Sequence, residues 1–257
     1  MYNKDSLMGL KQALYKTVTD TVPETATGIA FSGGVDSSLL VKICLDLGKK
    51  ITLLTIGFHD SHDIIFSKDI ASRMNLPQKI SIITYDNDFL KNLNQTIGII
   101  KCKNTSHIEN CLAYFYISKL ASENDIDLVL SANGCDELFC GYNGYRIIYD
   151  KGEEEIKRYM DEKIENEFSL IKEIATVADR FNVHVKQPFL SEQFIKFSKL
   201  ISIDQKIKGC DDMIRKHILR QVALSIGVPR ESAMKPKKAL QYGSLIHKYF
   251  KRSYISL

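Results

Sequence analysis

The stretch TGIAFSGGVDSSLLVKICLDLG, residues 27–48, reads as a strand, a glycine-rich turn and a helix in immediate succession. TGIAF is a short β-prone run, and Leu39, Leu40, Ile43 and Leu47 recur at helical spacing before Gly48 closes the pattern. The turn SGGVDSS therefore falls at the carboxyl end of a strand and the amino end of a helix, where free backbone N–H groups and the helix dipole favour an anion. Gly33 and Gly34 let the backbone come close to a phosphate, and Ser32, Ser37 and Ser38 add hydroxyl donors. Asp36 would repel a phosphate unless a cation lay between them, which makes Mg²⁺ its natural companion. Asp36 and Ser37 are also ordinary helix-capping residues.

Outward from this turn the pattern repeats. Before it, Leu7, Leu10, Leu14, Val18 and Val22 predict an amphipathic helix ending near Pro23. After it, ITLLTIG reads as a strand, SHDIIFSKDIASRMN as a helix, KISIITY as a strand and DNDFLKNLNQTI as a helix. A further helix over 110–122 is followed by the strand-like DLVLSA. Alternating βαβα order predicts an α/β fold with a parallel, doubly wound sheet. Beyond Tyr149 the texture changes to a charged helical segment in which Ile156, Tyr159, Met160, Ile164, Phe168, Ile171 and Ile174 mark the apolar face. VKQPFL, helices over 191–200 and 211–226, and a lysine-rich loop follow. The chain reads as one domain over 1–257, with a nucleotide-binding core over 24–149 and a mostly helical portion over 150–257.

The 257 residues are 44% hydrophobic, enough to bury a full core. Thirty-five Lys and Arg against 31 Asp and Glu leave a formal charge of +4, too weak to suggest nucleic acid. No apolar run reaches the ~18 residues of a membrane span, so a cytoplasmic protein without membrane attachment is expected. Cys44, Cys102, Cys111, Cys135, Cys140 and Cys210 form neither a CxxC pair nor a disulfide framework, and are expected to be reduced. Cys135 lies beside Asp136, but a single cysteine without a close partner reads as a small packed side chain.

SANGCDELFCGY, residues 131–142, leaves DLVLSA and presents Asn133, Asp136 and Glu137 at a strand's end, where open α/β sheets bind ligands. The SGGVDSS turn is not a Walker loop. It resembles the PP-loop of the ATP pyrophosphatases, also described as an adenine nucleotide α-hydrolase-like fold. SANGCDELFCGY resembles the SGxGxDELFGGY signature of the asparagine synthetase C-terminal domain. MKPKKALQYGS (234–244), TIGFHDSHD and QPFL fit further segments of that family in the same order.

The resemblance implies an ATP- and Mg²⁺-dependent ligase that activates a small-molecule carboxylate, aspartate in the family, as an acyl-adenylate. Pyrophosphate leaves and a nitrogen nucleophile attacks. Carried over residue by residue, backbone around Ala30 and Phe31, with Ile56, would hold adenine; Ser32, Gly33, Gly34, Ser37 and Ser38 would hold pyrophosphate, with Ala132 and Gly134 lining the second turn. Asp36 and Asp136 would share Mg²⁺, and Glu137 would be a supporting carboxylate. Lys237 falls where the family places its catalytic lysine, which a developing negative charge requires; Lys235 and Lys238 lie beside it. Arg215, Lys216 and Arg220 are read on one helix, as a basic face of which one residue could reach a phosphate or a carboxylate, or which is simply solvated. His59, His62 and His107 follow strand-like runs and read as surface histidines.

Two departures bear on the product. The family's glutaminase domain precedes its synthetase domain, whereas about 27 residues precede the first strand here, fewer than a domain needs. Ammonia or a separate glutaminase subunit is the expected nitrogen source. At the position of Asn133 the family carries a glutamate and the related β-lactam synthetase a tyrosine. An amide hydrogen-bonds but does not titrate, so Asn133 can orient a nucleophile and cannot take its proton. Ala132 and Cys140 replace family glycines, which matters where the backbone needs positive φ. The rival readings are a tRNA-modifying PP-loop enzyme and a nucleotide-binding subunit of an amidotransferase complex.

Overall fold

A computed structural model describes residues 4–100, 103–236 and 238–254. Five parallel strands form one sheet in the order β3-β2-β1-β4-β5. In chain order the elements are α1 (Lys4–Thr21), β1 (Thr27–Ala30), α2 (Val35–Asp46), β2 (Ile51–Phe58), α3 (His62–Arg73), β3 (Gln78–Ile83), α4 (Asn87–Ile100), α5 (Thr105–Ser122), β4 (Leu128–Leu130), α6 (Cys135–Leu138), α7 (Asn143–Ile147), α8 (Glu153–Ala178), β5 (His184–Lys186), α9 (Glu192–Leu200), α10 (His217–Ser225), α11 (Arg230–Ala233), α12 (Leu240–Gly243) and α13 (Ile246–Tyr254). The doubly wound α/β fold expected from the alternating pattern is the one observed. Among the described residues no helix is long and apolar enough to cross a membrane.

Period-two burial drives the layering. On β2, Ile51 and Leu53 join a core with α1, α2 and α10, whereas Leu54, Ile56 and Phe58 join a second core with α4, α5 and α13. The chain winds from β1 outward to β3, then returns to β4 on the other side of β1. The connections leaving β1 and β4, strands registered Gly28 to Val129, thus run in opposite directions along the sheet, which is where such sheets open a crevice. The portion beyond residue 150 is knitted into this core: β5 extends the sheet beside β4. Helix α8 places Ile156, Met160 and Ile164 in one core and Leu170, Ile174 and Val177 in the other.

Two helix starts and one buried face differ from the sequence reading. α5 begins at Thr105, because the Asn104 side chain accepts hydrogen bonds from the backbone N–H groups of Ser106 (3.0 Å) and His107 (3.4 Å) and caps the helix earlier. α10 begins only at His217, since Arg215 and Lys216 adopt left-handed conformations, φ 52° and 54°. The buried stripe of α8 is rotated from the one read in the sequence: Phe168 is exposed, and Glu167 and Leu170 are buried.

Lys206, wholly buried beneath Phe139, donates to the Ser198 carbonyl at 2.7 Å with its ammonium 5.7 Å from the ring centroid. Burial pushes it down to about 8 from 10.5. The folded state then binds fewer protons than the unfolded chain between those values, so stability rises with pH across that window. From pH 7.5 to 10 the wild type should gain roughly 2–3 kcal/mol relative to Lys206→Met in urea unfolding. A pH-independent difference would show that the ammonium is not disfavoured there.

Candidate active site

A cavity of about 350 Å³ opens at the carboxyl ends of β1, β2 and β4, walled by α5 and α8 and by the segment over 235–241. Of the residues assigned from the sequence, Ala30, Phe31, Ser32, Gly34, Asp36, Ser37, Ile56, Ala132, Asn133 and Asp136 line it. Gly33, Ser38 and Gly134 do not. Gly33 (φ 75°) makes the turn, and a Cβ there would lie 2.9 Å from Phe66. The Ser38 hydroxyl is buried off the cavity. Lys237 lies outside the described residues, while Lys235 and Lys238 both face the cavity.

On the β1 side, Ser32 Oγ accepts from the Gly34 N–H at 3.4 Å, and Ser37 Oγ donates to the Gly34 carbonyl at 3.2 Å, leaving a polar rim at the amino end of α2. Asp36 on α2 and Asp136 on α6 converge on one cation. Lys216 Nζ, 1% exposed, lies 2.6 Å from Asp36 Oδ2 and 2.7 Å from Asp136 Oδ1. Burial alone would depress this ammonium, but the two carboxylates outweigh it and hold it above the ordinary lysine value. Asp36 Oδ1 is buried without a hydrogen-bond partner among the described residues. Two hard carboxylates, one with an unspent oxygen, suit Mg²⁺, which takes few protein ligands and completes its shell with phosphate and water.

The expectation for the basic residues needs correction. Arg215, Lys216 and Arg220 form no helical face and none is solvated. Arg220 donates to the carbonyls of Arg215 (2.7 Å), Ile214 (2.8 Å), Ala233 (2.6 Å) and Lys235 (2.9 Å), so it anchors the lysine-bearing segment. Arg215 donates to the Gly141 carbonyl at 3.0 Å. Lys235 stands 3.5 Å over the Phe66 ring and 3.3 Å from His62 Nδ1; burial pushes its ammonium down to about 8, against the pull of Asp63 and with help from Lys238.

On the β4 side, Asn133 Oδ1 accepts from Tyr114 at 2.9 Å and from Ser131, and Asn133 Nδ2 donates to Glu167 on α8. Glu137 accepts from the Gly134 N–H (3.1 Å) and from Tyr142. Burial pushes its carboxyl up to about 8, with Glu167 and Asp136 adding to the rise. Glu167, 4% exposed, escaped the sequence reading; the signal available was its place three residues after Ile164 and before Leu170 on the buried stripe. His107, also buried, pairs with Glu173 (2.8 Å) and Asn166 (3.1 Å) at the cavity wall, whereas His59 is exposed. Cys135 is fully buried and burial pushes its thiol up, which suits packing and not thiolate chemistry. The five described cysteines are free.

The sequence profile of asparagine synthase matches residues 9–176, well over half of the chain. The chain belongs to the asparagine synthase family. A Methanocaldococcus jannaschii protein that carries the name of a glutamine-hydrolysing asparagine synthetase is 31% identical over 248 residues, covering 84% of this chain and 45% of that protein. The glutamine-hydrolysing asparagine synthetase of Gallus gallus is 23% identical over 226 residues, covering 84% and 39%. The chain thus spans less than half the length of these relatives. Among solved structures, the U34-tRNA thiolase NcsA from Methanococcus maripaludis aligns with 99% of this chain and 76% of its own at 11% identity and a TM-score of 0.47.

Within this asparagine synthase site, two substitutions of signature glycines have different standing. Ala132 has no positive φ and costs nothing, whereas Cys140 sits at φ 57°, a conformation that a glycine adopts without strain. The retained Gly141 is needed for space. A Cβ on it would lie 2.0 Å from Asp136 Oδ1 and 2.3 Å from Lys216 Cε. Gly141→Ala should therefore cost about 3 kcal/mol or more by disrupting the buried ion pair, seen as a fall in Tm of roughly 6 °C or more. Gly98→Ala, with open space around its Cβ, should leave Tm unchanged or raise it.

Proposed function

We propose that this chain is an ATP-dependent, amide-forming ligase that activates a carboxylate, aspartate on family grounds, and passes its acyl group to a nitrogen nucleophile. The observation that carries this reading is the meeting of Asp36, from the turn after β1, with Asp136, from the turn after β4, in one cavity rimmed by Ser32, Gly34 and Ser37.

Adenine would rest against the backbone of Ala30 and Phe31 and against Ile56, and the phosphates against the rim at the amino end of α2. Asp36 and Asp136 would hold Mg²⁺, which neutralises charge on the departing pyrophosphate. A carboxylate oxygen of the substrate attacks the α-phosphorus; the bond to the β-phosphate oxygen breaks, and the products are acyl-adenylate and pyrophosphate. A lysine of the 235–238 segment, Lys237 by its place in the family motif, stabilises the negative charge that develops.

The nitrogen nucleophile then attacks the acyl carbon. Asn133 orients it, and Glu167, hydrogen-bonded to Asn133, takes the proton that the amide cannot. The acyl–phosphate bond breaks and AMP leaves. Free ammonia or a glutaminase partner supplies the nitrogen.

Exchange of labelled pyrophosphate into ATP, measured across aspartate and other small carboxylic acids, tests the activation step. Aspartate should support exchange; failure of every acid to do so would remove the ligase reading. Glu167→Gln separates the two halves: exchange should persist, while amide formation should fall by ~10²–10⁴-fold.

A further inference from the structure

Lys216 occupies the place that the ligase reading gives to a metal ion. Its ammonium bridges Asp36 Oδ2 at 2.6 Å and Asp136 Oδ1 at 2.7 Å, and the side chain is 1% exposed. It is held there by its surroundings. The chain bends through two left-handed residues, Arg215 and Lys216, before α10; Arg215 is tied to the Gly141 carbonyl, and the absent Cβ of Gly141 is the space that Lys216 Cε fills. Two carboxylates and one ammonium leave a single net negative charge. A divalent ion entering among them would meet a fixed positive charge within van der Waals reach of both its ligands, and in a buried site that repulsion is poorly screened. Asp36 Oδ1 nevertheless stays buried without a hydrogen-bond partner among the described residues, so the pair retains capacity for a second cation once another anion shares the positive charge. Triphosphate oxygens at the adjoining rim of Ser32, Gly34 and Ser37 would be that anion, because they offer Lys216 new partners and the metal new ligands.

We propose that Lys216 is a resident counter-ion that closes the Asp36–Asp136 pair to a free divalent cation and opens it only to one arriving with the nucleotide's phosphates. Metal binding is thereby conditional on nucleotide. This rests on the ligase reading for the identity of the phosphate ligand, but the behaviour of the metal alone does not.

Mn²⁺ binding, followed by the loss of the free-ion electron paramagnetic resonance signal, tests it without turnover. The wild type should take up no stoichiometric Mn²⁺ alone, and one equivalent with an α,β-methylene ATP analogue. Lys216→Met, which keeps the chain length and apolar stem, should bind one Mn²⁺ alone at least ~10-fold more tightly than the wild type, since a buried carboxylate pair stripped of its counter-ion seeks another. Lys216→Met/Asp36→Asn should lose that site. Equal Mn²⁺ affinity in the wild type and Lys216→Met would overturn the inference. If Lys216→Met does not fold, the wild type alone decides: a nucleotide-independent Mn²⁺ site that Asp36→Asn abolishes overturns it, and Mn²⁺ uptake only with the analogue supports it. Loss of the nucleotide-dependent arm, with the difference between the two proteins kept, would count against the ligase reading and leave the counter-ion role standing.

Discussion

Asp36 and Lys216 are 180 residues apart in the chain, and their ion pair, shared with Asp136, ties together three segments that the sheet and the core bring close: the turn after β1, the turn after β4 and the bend before α10. A buried charge without its partner is costly, so each of these groups makes the other two necessary. Neighbouring features follow from that constraint. Gly141 lacks a side chain where Lys216 passes, Arg215 grips the Gly141 carbonyl, and Arg220 spends its guanidinium on four carbonyls that hold α10 against the lysine-bearing segment. The cavity is therefore framed by an electrostatic knot rather than by apolar packing alone.

Around the knot the charges divide by chemistry. Among the lining groups are the hydroxyls of Ser32 and Ser37, the Gly34 backbone, Lys235 and Lys238, donors of the kind that favour an anion. Towards α8 lie Glu137, just beyond the carboxyl end of β4 beside Asp136, and Glu167, on α8 itself. Burial first, and then the neighbouring Glu167 and Asp136 carboxylates, raise the Glu137 carboxyl to about 8, so it favours the protonated form near neutral pH. Asn133 stands between, accepting from Tyr114 and Ser131 and donating to Glu167. Its amide thus links the strand end to a carboxylate on a helix.

Much of the fold was legible locally. Short β-prone runs gave away β1, β2 and β4, and the glycines and serines of SGGVDSS announced the turn into α2, because β-propensity and turn chemistry are properties of adjacent residues. The misreadings share a cause. Arg215 and Lys216 carry ordinary helical spacing, but Asp212 accepts from the backbone N–H groups of Ile214 and Arg215, and the side chains of Arg215 and Lys216 are tied to Gly141 and Asp136, so the helix starts only after them. The α8 stripe was misplaced because Phe168 is apolar and Glu167 is not, yet the pocket needs a carboxylate there more than the core needs a ring.

By itself, then, the sequence determined the doubly wound sheet, the glycine-rich turn after β1, the candidate aspartate pair and membership of the asparagine synthase family, since each is written in short contiguous motifs. Only the tertiary structure decided which cation holds the aspartates, which carboxylate stands beside Asn133 and that Lys235 and Lys238 face the cavity. Those are pairings across the topological crevice between β1 and β4. Their energies depend on burial and on distances of about 3 Å, which become defined only when remote segments are brought together.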